Sequence, residues 1–361
     1  MIDFRYHLVS LISVFLALAV GIVLGAGPLK EAIGDQLTGQ VETLRADKEK
    51  LREKLQETEG NVQTRDAFLA ATASQLTAGT IAGRRVSFVE LADTDDAVVD
   101  ALTTYLVAAG AEVSGSVRVS DQWTSEGQAR YRQALVPSLS DYLPETAGGG
   151  SHDADLARAL VLSLVQLAHE GDAFSADALQ LQRLLSAGDF VTYSEDLAPA
   201  DMIVILAPGA PEADVTPSSP STQDATTLLI QAELPRAAVE LAEGAVVAGD
   251  RTSPLLKAII GGDDASSVST VDDVGELTGQ ISVPLALAAR AAGTVGHFGT
   301  TEGSTAVVPT VVRLAEVDRT ARRAAAPEVP TTDEPTDGAT DGATDGATDG
   351  ATDGATDGAE G

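Results

Sequence analysis

Residues 8–26 read LVSLISVFLALAVGIVLGA, a run of nineteen residues without a charged side chain. In a helix, at about 1.5 Å per residue, this run spans roughly 28 Å, which is close to the thickness of a bilayer's hydrocarbon core. A helix buried in a globular domain would be expected to carry a polar seam, and the run has none. The run therefore predicts a transmembrane helix near the N-terminus.

A cleaved signal peptide is the main alternative to this anchor. Cleavage after Ala26 would need a small residue where Leu24 stands, and Pro28 blocks cleavage after Gly27. We therefore expect an uncleaved, single-pass anchor in the cell envelope. Arg5 precedes the span, so the positive-inside rule favours a cytoplasmic N-terminus and an extracytoplasmic bulk.

Small residues recur every four positions within the span. They are Ser13, Ala17, Gly21 and Gly25. Such a stripe lets two helix backbones approach closely, so it predicts a face for membrane-helix packing.

After Pro28 the apolar residues change to a heptad spacing. Alternating steps of four and three predict a coiled coil over more than five heptads, with Lys48, Thr58, Arg65 and Thr72 as exceptions. The predicted coiled-coil core consists of Leu37, Val41, Leu44, Leu51, Leu55, Val62, Leu69 and Leu76.

The charges beside this core favour a parallel pair. With Val41 at position a, Asp47 would face Arg52 of a partner helix, and Lys54 would face Glu59. Both pairs have opposite signs, which predicts a parallel homodimer or a higher oligomer. The alternative is one long amphipathic helix packed back onto its own domain.

From Arg84 onward, short apolar runs alternate with helical periods. This alternation predicts an α/β domain with a mostly parallel sheet, although it does not give the strand order. The predicted strands are Val86–Leu91, Glu112–Val119, Phe190–Tyr193, Met202–Leu206, Ala245–Ala248, Ser267–Val271 and Val307–Val312. The predicted helices are Asp95–Ala109, Asp155–His169, Ser175–Ala187, Asp224–Ala242, Pro254–Ile260 and Glu276–Ala291.

Local signals refine several of these elements. Thr94 is the expected N-cap of the first helix, and Gly110 its stop. Pro235 is expected to kink or interrupt its helix. The pairs Arg84-Arg85 and Arg322-Arg323 are interpreted as surface charges.

The last part of the chain is predicted to be disordered. Six Thr-Asp-Gly-Ala units fill Thr336 to Ala359, and like charges without an apolar period do not build a core. The expected organisation is a membrane anchor over residues 1–30, a coiled-coil stalk over 31–79, an extracytoplasmic α/β domain over 80–320 and an acidic tail over 321–361.

Composition excludes several functions. A net charge of −31 argues against binding nucleic acid, and the lack of cysteine removes disulfides and thiolate chemistry. No glycine-rich phosphate motif and no G-x-S-x-G elbow occur. No catalytic or cofactor-binding residue is assigned, and we expect a non-enzymatic protein.

The histidines provide only weak evidence for a metal-binding site. His152 lies beside Asp153 and Asp155, and His169 lies beside Glu170, so a composite metal site is one interpretation. None of the four histidines has the spacing of a helical metal site, and the metal ligands, if any, stay unassigned.

Two stretches resemble the actinobacterial copper transport protein B family. One is MIDFRYHLVSLISVFLALAVGIVLGAGPL at the N-terminus, and the other is STVDDVGELTGQISVPLALAARAAGTVGHFG, from Ser269 to Gly299. The resemblance extends from Met1 to about Val317 and leaves out the acidic tail. The prefix Asp3-Phe4-Arg5-Tyr6-His7 is specific, because a generic anchor does not require it.

The resemblance implies an envelope protein of copper transport or efflux and copper tolerance, with a proposed outer-membrane channel role. The residues themselves carry no such signal. Soft Cu(I) sites use Cys or Met, and the chain has no Cys and only Met1 and Met202. The resemblance therefore makes copper a candidate transported ion, with no residue assigned to bind it. The alternative function is a dimeric envelope scaffold that presents its α/β domain to envelope proteins, with indirect effects on copper.

The anchor prediction is testable by intact mass. Protein extracted from membranes should retain its N-terminus, because no cleavage site follows the apolar run. A mature protein that begins near residue 26 would contradict the anchor.

Overall fold

The computed structural model describes residues 4–26, 28–91, 94–144, 150–210 and 222–319, with side chains for all of them except 26–35 and 222. The predicted acidic tail and residues 211–221, a stretch rich in Pro and Ser, lie outside the described residues.

Nine α-helices and seven strands are assigned within the described residues. The helices are α1 (Phe4–Ala26), α2 (Pro28–Thr77), α3 (Asp96–Ala108), α4 (Ala129–Leu139), α5 (His152–Val165), α6 (Ala176–Ala187), α7 (Thr222–Leu241), α8 (Pro254–Gly261) and α9 (Leu277–Ala291). The strands are β1 (Arg85–Glu90), β2 (Glu112–Val119), β3 (Val191–Tyr193), β4 (Met202–Ala207), β5 (Gly244–Gly249), β6 (Ser269–Val271) and β7 (His297–Phe298).

The strands form one sheet in the order β3-β2-β1-β4-β5-β6-β7. Every neighbouring pair is parallel except β2 and β3, which confirms the prediction of a mostly parallel sheet. From β1 the chain adds β2 and then β3 on one side of the sheet, and from β4 it adds β5, β6 and β7 on the other side. The sheet is therefore doubly wound, with its topological switch between β1 and β4.

The central strands are apolar throughout because helices cover both faces of the sheet. In β4, Met202, Val204 and Leu206 pack with α3 and α9, whereas Ile203 and Ile205 pack with α5 and α7. This two-residue alternation divides the core into two layers. All six residues of β4 are buried, which explains the continuous apolar run in the sequence.

The predicted strand at Val307–Val312 is wrong. The last strand is β7, and residues 307–319 form an extended segment outside the sheet, here called the strap. The strap crosses the end of the stalk helix, where the Leu314 amide donates to the Thr80 carbonyl at 3.0 Å and the Val317 amide donates to Ala82 at 3.2 Å. Its apolar residues therefore resemble a strand in sequence but have no strand partner.

The helices differ from the predictions in four respects. Asp95, not Thr94, caps α3, because its carboxylate accepts the Ala97 amide at 2.9 Å. The helix predicted to begin at Asp155 begins at His152, where Ser151 caps it. The helix α4 was not predicted; it carries Pro137 and only two buried side chains, so its apolar period is weak. The helix α7 runs through Pro235 without interruption.

The interpretation of Arg84 and Arg85 as surface charges is wrong. Both side chains are buried at the amino ends of the strands. Arg84 pairs with Glu243 at 2.7 Å and also donates to the Ala315 carbonyl of the strap at 2.7 Å. Arg85 pairs with Asp172 at 2.8 Å. A buried guanidinium needs such partners, since unpaired burial would cost several kcal/mol.

The strap ends in the same ion cluster. Arg319, 9% exposed, donates to Asp172 at 2.9 Å and also contacts Asp201. The same carboxylate oxygen of Asp201 also accepts the backbone amide of Arg85, at 2.8 Å. One strap residue thus joins two acids that belong to separate segments before β4, and it fixes the C-terminal end of the described chain to the sheet.

We expect Arg319→Ala to destabilise the domain by about 3–5 kcal/mol, because it leaves Asp172 and Asp201 buried with fewer partners. Arg251→Ala is the matched control: Arg251 also pairs with an aspartate, Asp273, but its side chain is 57% exposed, so its loss should have a small effect. Chemical denaturation of both variants measures the difference. Equal, small effects would contradict a stabilising role for the strap.

Candidate functional site

The middle of the stalk helix has no contact with the domain. Every residue from 36 to 65 is exposed, including the predicted core positions Leu44, Leu51 and Leu55, which are 59–68% exposed. An isolated helix in water does not retain a row of large apolar side chains for its own stability. This row, Leu37 to Val62, is here called the stalk face.

The charged residues beside the stalk face are also free to meet a partner. In the single chain, Arg52 pairs only with its helical neighbour Glu49, at 3.6 Å, and both side chains are about two-thirds exposed. Exposed pairs of this kind are weak and exchange easily. The residues predicted to face a second helix, Asp47, Lys54 and Glu59, are exposed as well.

The last two turns of the stalk behave differently because they dock on the domain. Ala73 is fully buried against Ile281 and Leu285 of α9, and Leu69 packs at the edge of the same cluster. Here the structure matches the alternative that was left open, a helix packed onto its own domain. Leu69 is therefore engaged by α9, while Leu76 stays 40% exposed.

The small residues of α1 all face outward. Ser13, Ala17, Gly21 and Gly25 are exposed, and a Cβ atom added to either glycine would meet nothing within 4 Å. The Ser13 hydroxyl donates within its own helix, to Val9 at 3.0 Å and Ser10 at 2.9 Å. The helix is long and apolar enough to cross a membrane, and its window Phe4–Gly25 has no buried residue.

One buried acid, Asp272, joins the carboxyl ends of β6 and β7 through hydrogen bonds, an arrangement here called the Asp272 lock. Asp272 is 2% exposed and accepts the backbone amides of Thr300, at 2.9 Å and 3.1 Å, and of Thr301, at 2.6 Å. Gly299 sits against this carboxylate at φ +130°, and a Cβ atom there would overlap Asp272. Gly279 makes a similar close approach to the Asp273 carbonyl. These amide contacts give Asp272 a structural role.

His297 lies in the same corner and is also structural. Its Nε2 donates to the Ala265 carbonyl at 3.1 Å, so its Nδ1 accepts from the Thr270 hydroxyl at 3.0 Å. Burial lowers the pKa of His297 below its usual value of 6.5, the bond to Ala265 only partly offsetting it. The imidazole is therefore neutral near pH 7.

The predicted composite metal site is not assembled. Asp153 pairs with Arg132 at 3.2 Å, and Asp155 pairs with Arg158 at 3.4 Å, while His152 is exposed at the start of α5. Among the described residues, no group of three or more His, Cys, Asp or Glu side chains is placed to hold a metal ion. No metal ligand is assigned from the geometry.

These features define a class of protein: one candidate membrane helix, a long stalk helix with an exposed apolar face, and a doubly wound α/β domain. The chain belongs to the family described as "Copper transport outer membrane protein, MctB", which it matches over residues 1–309. The resemblance noted from the sequence is thereby confirmed, and the family's description names transport rather than an enzymatic reaction.

Named relatives agree with this assignment. The protein "Copper transporter MctB" of Mycobacterium tuberculosis (strain ATCC 25618 / H37Rv) is 28% identical over 326 residues, which are 85% of this chain and 99% of the relative. The protein of the same name from Mycobacterium leprae (strain TN) is 24% identical over 321 residues, with the same shares of each chain.

The structure explains the second resembling stretch, from Ser269 to Gly299. It supplies β6, the Asp272 lock, α9 and β7, and α9 also carries Ile281 and Leu285, which receive the stalk. This stretch therefore builds the corner of the domain that joins sheet and stalk. The motif alone does not predict these contacts, since they join residues far apart in the chain.

Gly299→Ala should destabilise the domain by about 3 kcal/mol or more, because it adds backbone strain and displaces the Asp272 carboxylate from its amide donors. Gly293→Ala is the control. Gly293 also has a positive φ, +86°, but a Cβ atom there meets nothing within 4 Å, so about 1 kcal/mol is expected. Thermal unfolding that ranks the two variants equally would contradict the lock.

His297 should make stability fall as the pH drops. Because its folded pKa is lowered, the unfolded chain takes up a proton near pH 6.5 that the folded chain resists. Stability is complete above about pH 7 and decreases below that, levelling off under the folded pKa. Melting temperatures from about pH 5 to about pH 8 should show a smaller acid decline for His297→Gln than for His152→Gln, in which an exposed histidine is changed. Identical declines would refute this assignment.

Proposed function

We propose that this chain is a membrane-anchored envelope component of copper transport or efflux that contributes to copper tolerance. The observation that carries the proposal is family membership over residues 1–309, which covers the anchor, the stalk and the α/β domain together. The relatives named as copper transporters match over 99% of their own length, so the likeness takes in their whole architecture rather than one shared segment. In this proposal copper is the transported ion, and no residue is assigned as its ligand.

The proposed arrangement places α1 across the bilayer, with its N-terminus in the cytoplasm. The 50 residues of α2 would then reach roughly 75 Å from the membrane. The domain is docked on the far end of this helix through Ala73 and α9. A spacer of this length suits a protein that acts at a distance from the membrane that holds it.

We further propose that two copies pair in parallel through the stalk face. The exposure of Leu44, Leu51 and Leu55 supports a partner, and the complementary charges favour a parallel second copy. The contact between the two stalk faces would end near Val62, because Leu69 packs against α9 of its own chain. Beyond that point the two domains would diverge.

Pairing also follows from geometry at the membrane. Two anchored chains leave the bilayer in the same direction, and confinement raises the effective concentration of one stalk near another. The small-residue stripe ending in Gly21 and Gly25 would extend the contact into the bilayer. Lys48 would lie within the contact between the two stalk faces and weaken it, so we expect a dimer or a higher oligomer of modest stability.

The exposed stalk face also supports the second candidate function. In that alternative the paired stalks form a scaffold without enzymatic activity, which presents the α/β domain to envelope proteins, and the copper effects are indirect. The two functions differ in what fails first when the protein is lost. A transport component loses copper control selectively, whereas a scaffold loses general envelope integrity.

Deletion of the gene in its native host tests transport. We expect slower growth in elevated copper and a higher cell-associated copper content, with normal growth in elevated zinc and in detergent. Restoration by the full-length chain is the control for secondary effects. Equal sensitivity to copper, zinc and detergent would favour the scaffold over transport.

The stalk pairing is tested by Leu51→Ala combined with Leu55→Ala. The double change removes two adjacent seam layers and should shift the detergent-solubilised full-length protein toward monomer by several kcal/mol. Glu53→Ala combined with Gln56→Ala is the control, since these residues lie off the seam, and should leave the dimer intact. Val41→Cys should crosslink to itself in membranes. A monomeric parent protein, or no crosslink, would contradict pairing.

The topology is tested with Leu229→Cys, a position that is 66% exposed on α7 in a chain that has no natural cysteine. An impermeant thiol reagent should label this variant on cells whose outer layers admit the reagent. Labelling only after lysis would contradict an extracytoplasmic domain.

A further inference from the structure

The stalk helix and the first strand are joined by a short segment with two glycines. The helix α2 ends at Thr77 and β1 begins at Arg85, so residues 78–84 connect them, and they are here called the hinge. Gly79 and Gly83 in this segment have φ angles of +69° and +73°, a region that glycine adopts without strain. Such residues allow a chain to change direction between two rigid parts.

The strap lies directly along the hinge. The Leu314 amide donates to the Thr80 carbonyl at 3.0 Å, and the Val317 amide donates to the Ala82 carbonyl at 3.2 Å. A Cβ atom added to Gly83 would overlap the Val317 carbonyl oxygen, so the backbone of the strap passes against this glycine. The hinge therefore cannot bend freely while the strap is in place.

The strap also completes the end of the stalk helix. The last turn of α2 has no basic residue of its own. Arg313 supplies one from the strap, because its Nε donates to the Ala78 carbonyl at 3.2 Å and a second guanidinium nitrogen donates to the Gln75 carbonyl at 3.4 Å. Carbonyls at a helix C-terminus lack helical partners and carry partial negative charge, so a guanidinium there is favourable.

The strap is fixed at both of its ends. Directly before it, Ala306 forms a bridge with Phe298 of β7. At its other end, Arg319 is buried and pairs with Asp172 at 2.9 Å. A segment that is tethered at both ends can leave the surface in its middle and return readily, because the ends hold it close to its docking position.

The middle of the strap is held weakly. Arg313, Ala315 and Glu316 are exposed, and Leu314 and Val317 are only partly buried. Segments with few buried contacts and exposed hydrogen bonds open at a lower free energy than the core of the same domain. We therefore expect residues 313–317 to lift from the hinge while the sheet stays folded.

Lifting leaves both buried arginines with their acidic partners. Arg84 loses its bond to the Ala315 carbonyl, but it keeps Glu243, whose carboxylate accepts two of its nitrogens at 2.9 Å and 2.7 Å. Arg319 can lose its bond to the Gly83 carbonyl, at 3.2 Å, and still pair with the aspartates. The cost of lifting is thus a few single hydrogen bonds rather than an unpaired buried charge.

We propose that the strap is a clamp that switches the domain between a fixed and a mobile orientation on its stalk. With the strap docked, the hinge is held and the domain has one direction relative to α2. With residues 313–317 lifted, the stalk is held mainly by the apolar joint around Ala73, and the hinge lets the domain swing. The clamp is independent of copper and of stalk pairing, since all of its contacts lie within one chain.

Distances between a spin label on the stalk and one on the domain test the clamp. Gly60→Cys and Leu229→Cys provide the two labelling positions, which are exposed in a chain without natural cysteine. The labelled full-length protein is reconstituted in bilayers with an excess of unlabelled protein, so that the distances measured lie within one chain. The parent protein should give one narrow distribution.

Two substitutions should release the strap, and two matched substitutions should not. Gly83→Ala displaces Val317, and Arg313→Ala removes the bonds to the end of α2, so both should broaden the distribution or add a second distance. Gly79→Ala introduces similar backbone strain, but its Cβ atom meets nothing within 4 Å. Glu316→Ala changes an exposed side chain of the strap. These two controls should keep the narrow distribution.

Hydrogen exchange measures whether the strap lifts by itself. In the parent protein, the amides of residues 313–317 should exchange at least roughly tenfold faster than those of β4. Arg313→Ala should raise the rate in the strap by roughly a further fivefold, because it removes hydrogen bonds that hold the docked state. Equal exchange rates in the strap and in β4 would show that the strap opens only when the domain unfolds, and would overturn the switch.

The distances can overturn the clamp as well. Circular dichroism first confirms that each variant is folded, and Arg313→Ala carries the test if Gly83→Ala is not. A narrow distribution in the folded strap variants, or a broad one in the parent protein, would contradict the clamp. Equal broadening in Gly79→Ala and Gly83→Ala would assign the effect to backbone strain instead of the strap, and would also refute it.

Discussion

The joint between stalk and domain is formed by a few apolar side chains, with Ala73 of α2 enclosed by Ile281 and Leu285 of α9 and Leu69 at its edge. The strap reinforces it, since Arg313 donates to the Ala78 carbonyl at 3.2 Å directly after the helix ends. The stalk, the sheet and the strap thus meet at one corner, and the second resembling stretch builds most of that corner.

This joint divides α2 into two parts with different physical roles. Near the domain its apolar residues stabilise the fold of their own chain. From 36 to 65 they are exposed, which would be unfavourable in water unless a second surface covers them. A heptad pattern does not distinguish between these roles, because Leu55 and Leu69 both occupy position a. The structure separates them through what each side chain touches.

The sequence patterns correctly predicted those elements whose formation depends on neighbouring residues in the chain. The apolar runs of β1, β4 and β5 and the helical periods between them indicated the fold class, and the uncharged run before Ala26 indicated the candidate span. Patterns failed where distant contacts decide the outcome. The strap at 307–319 resembles a strand but follows the stalk end, and Arg84 is buried only because Glu243 and the strap enclose it. Trp123 lies in a segment of short turns with no periodic signal, so its burial could not be predicted.

Two regions of the domain differ in how their buried polar groups are hydrogen-bonded. The amide bonds to Asp272 stabilise its corner of the domain, whereas the buried indole N–H of Trp123 has no hydrogen-bond partner among the described residues. Transport of copper by a family with this architecture requires neither to be a metal site. In the proposed arrangement, the 50 residues of α2 hold the domain at a distance from the membrane.

The most direct test of this account is a pulsed electron-paramagnetic-resonance distance between two copies of the full-length protein in bilayers, each spin-labelled at Gly60→Cys. Gly60 lies at the outer heptad position, and a Cβ atom added there would meet nothing within 4 Å, so the label has room. A parallel pair predicts one narrow inter-chain distance of roughly 20–25 Å. The absence of an inter-chain distance, or a broad distribution extending far beyond this range, would contradict the account.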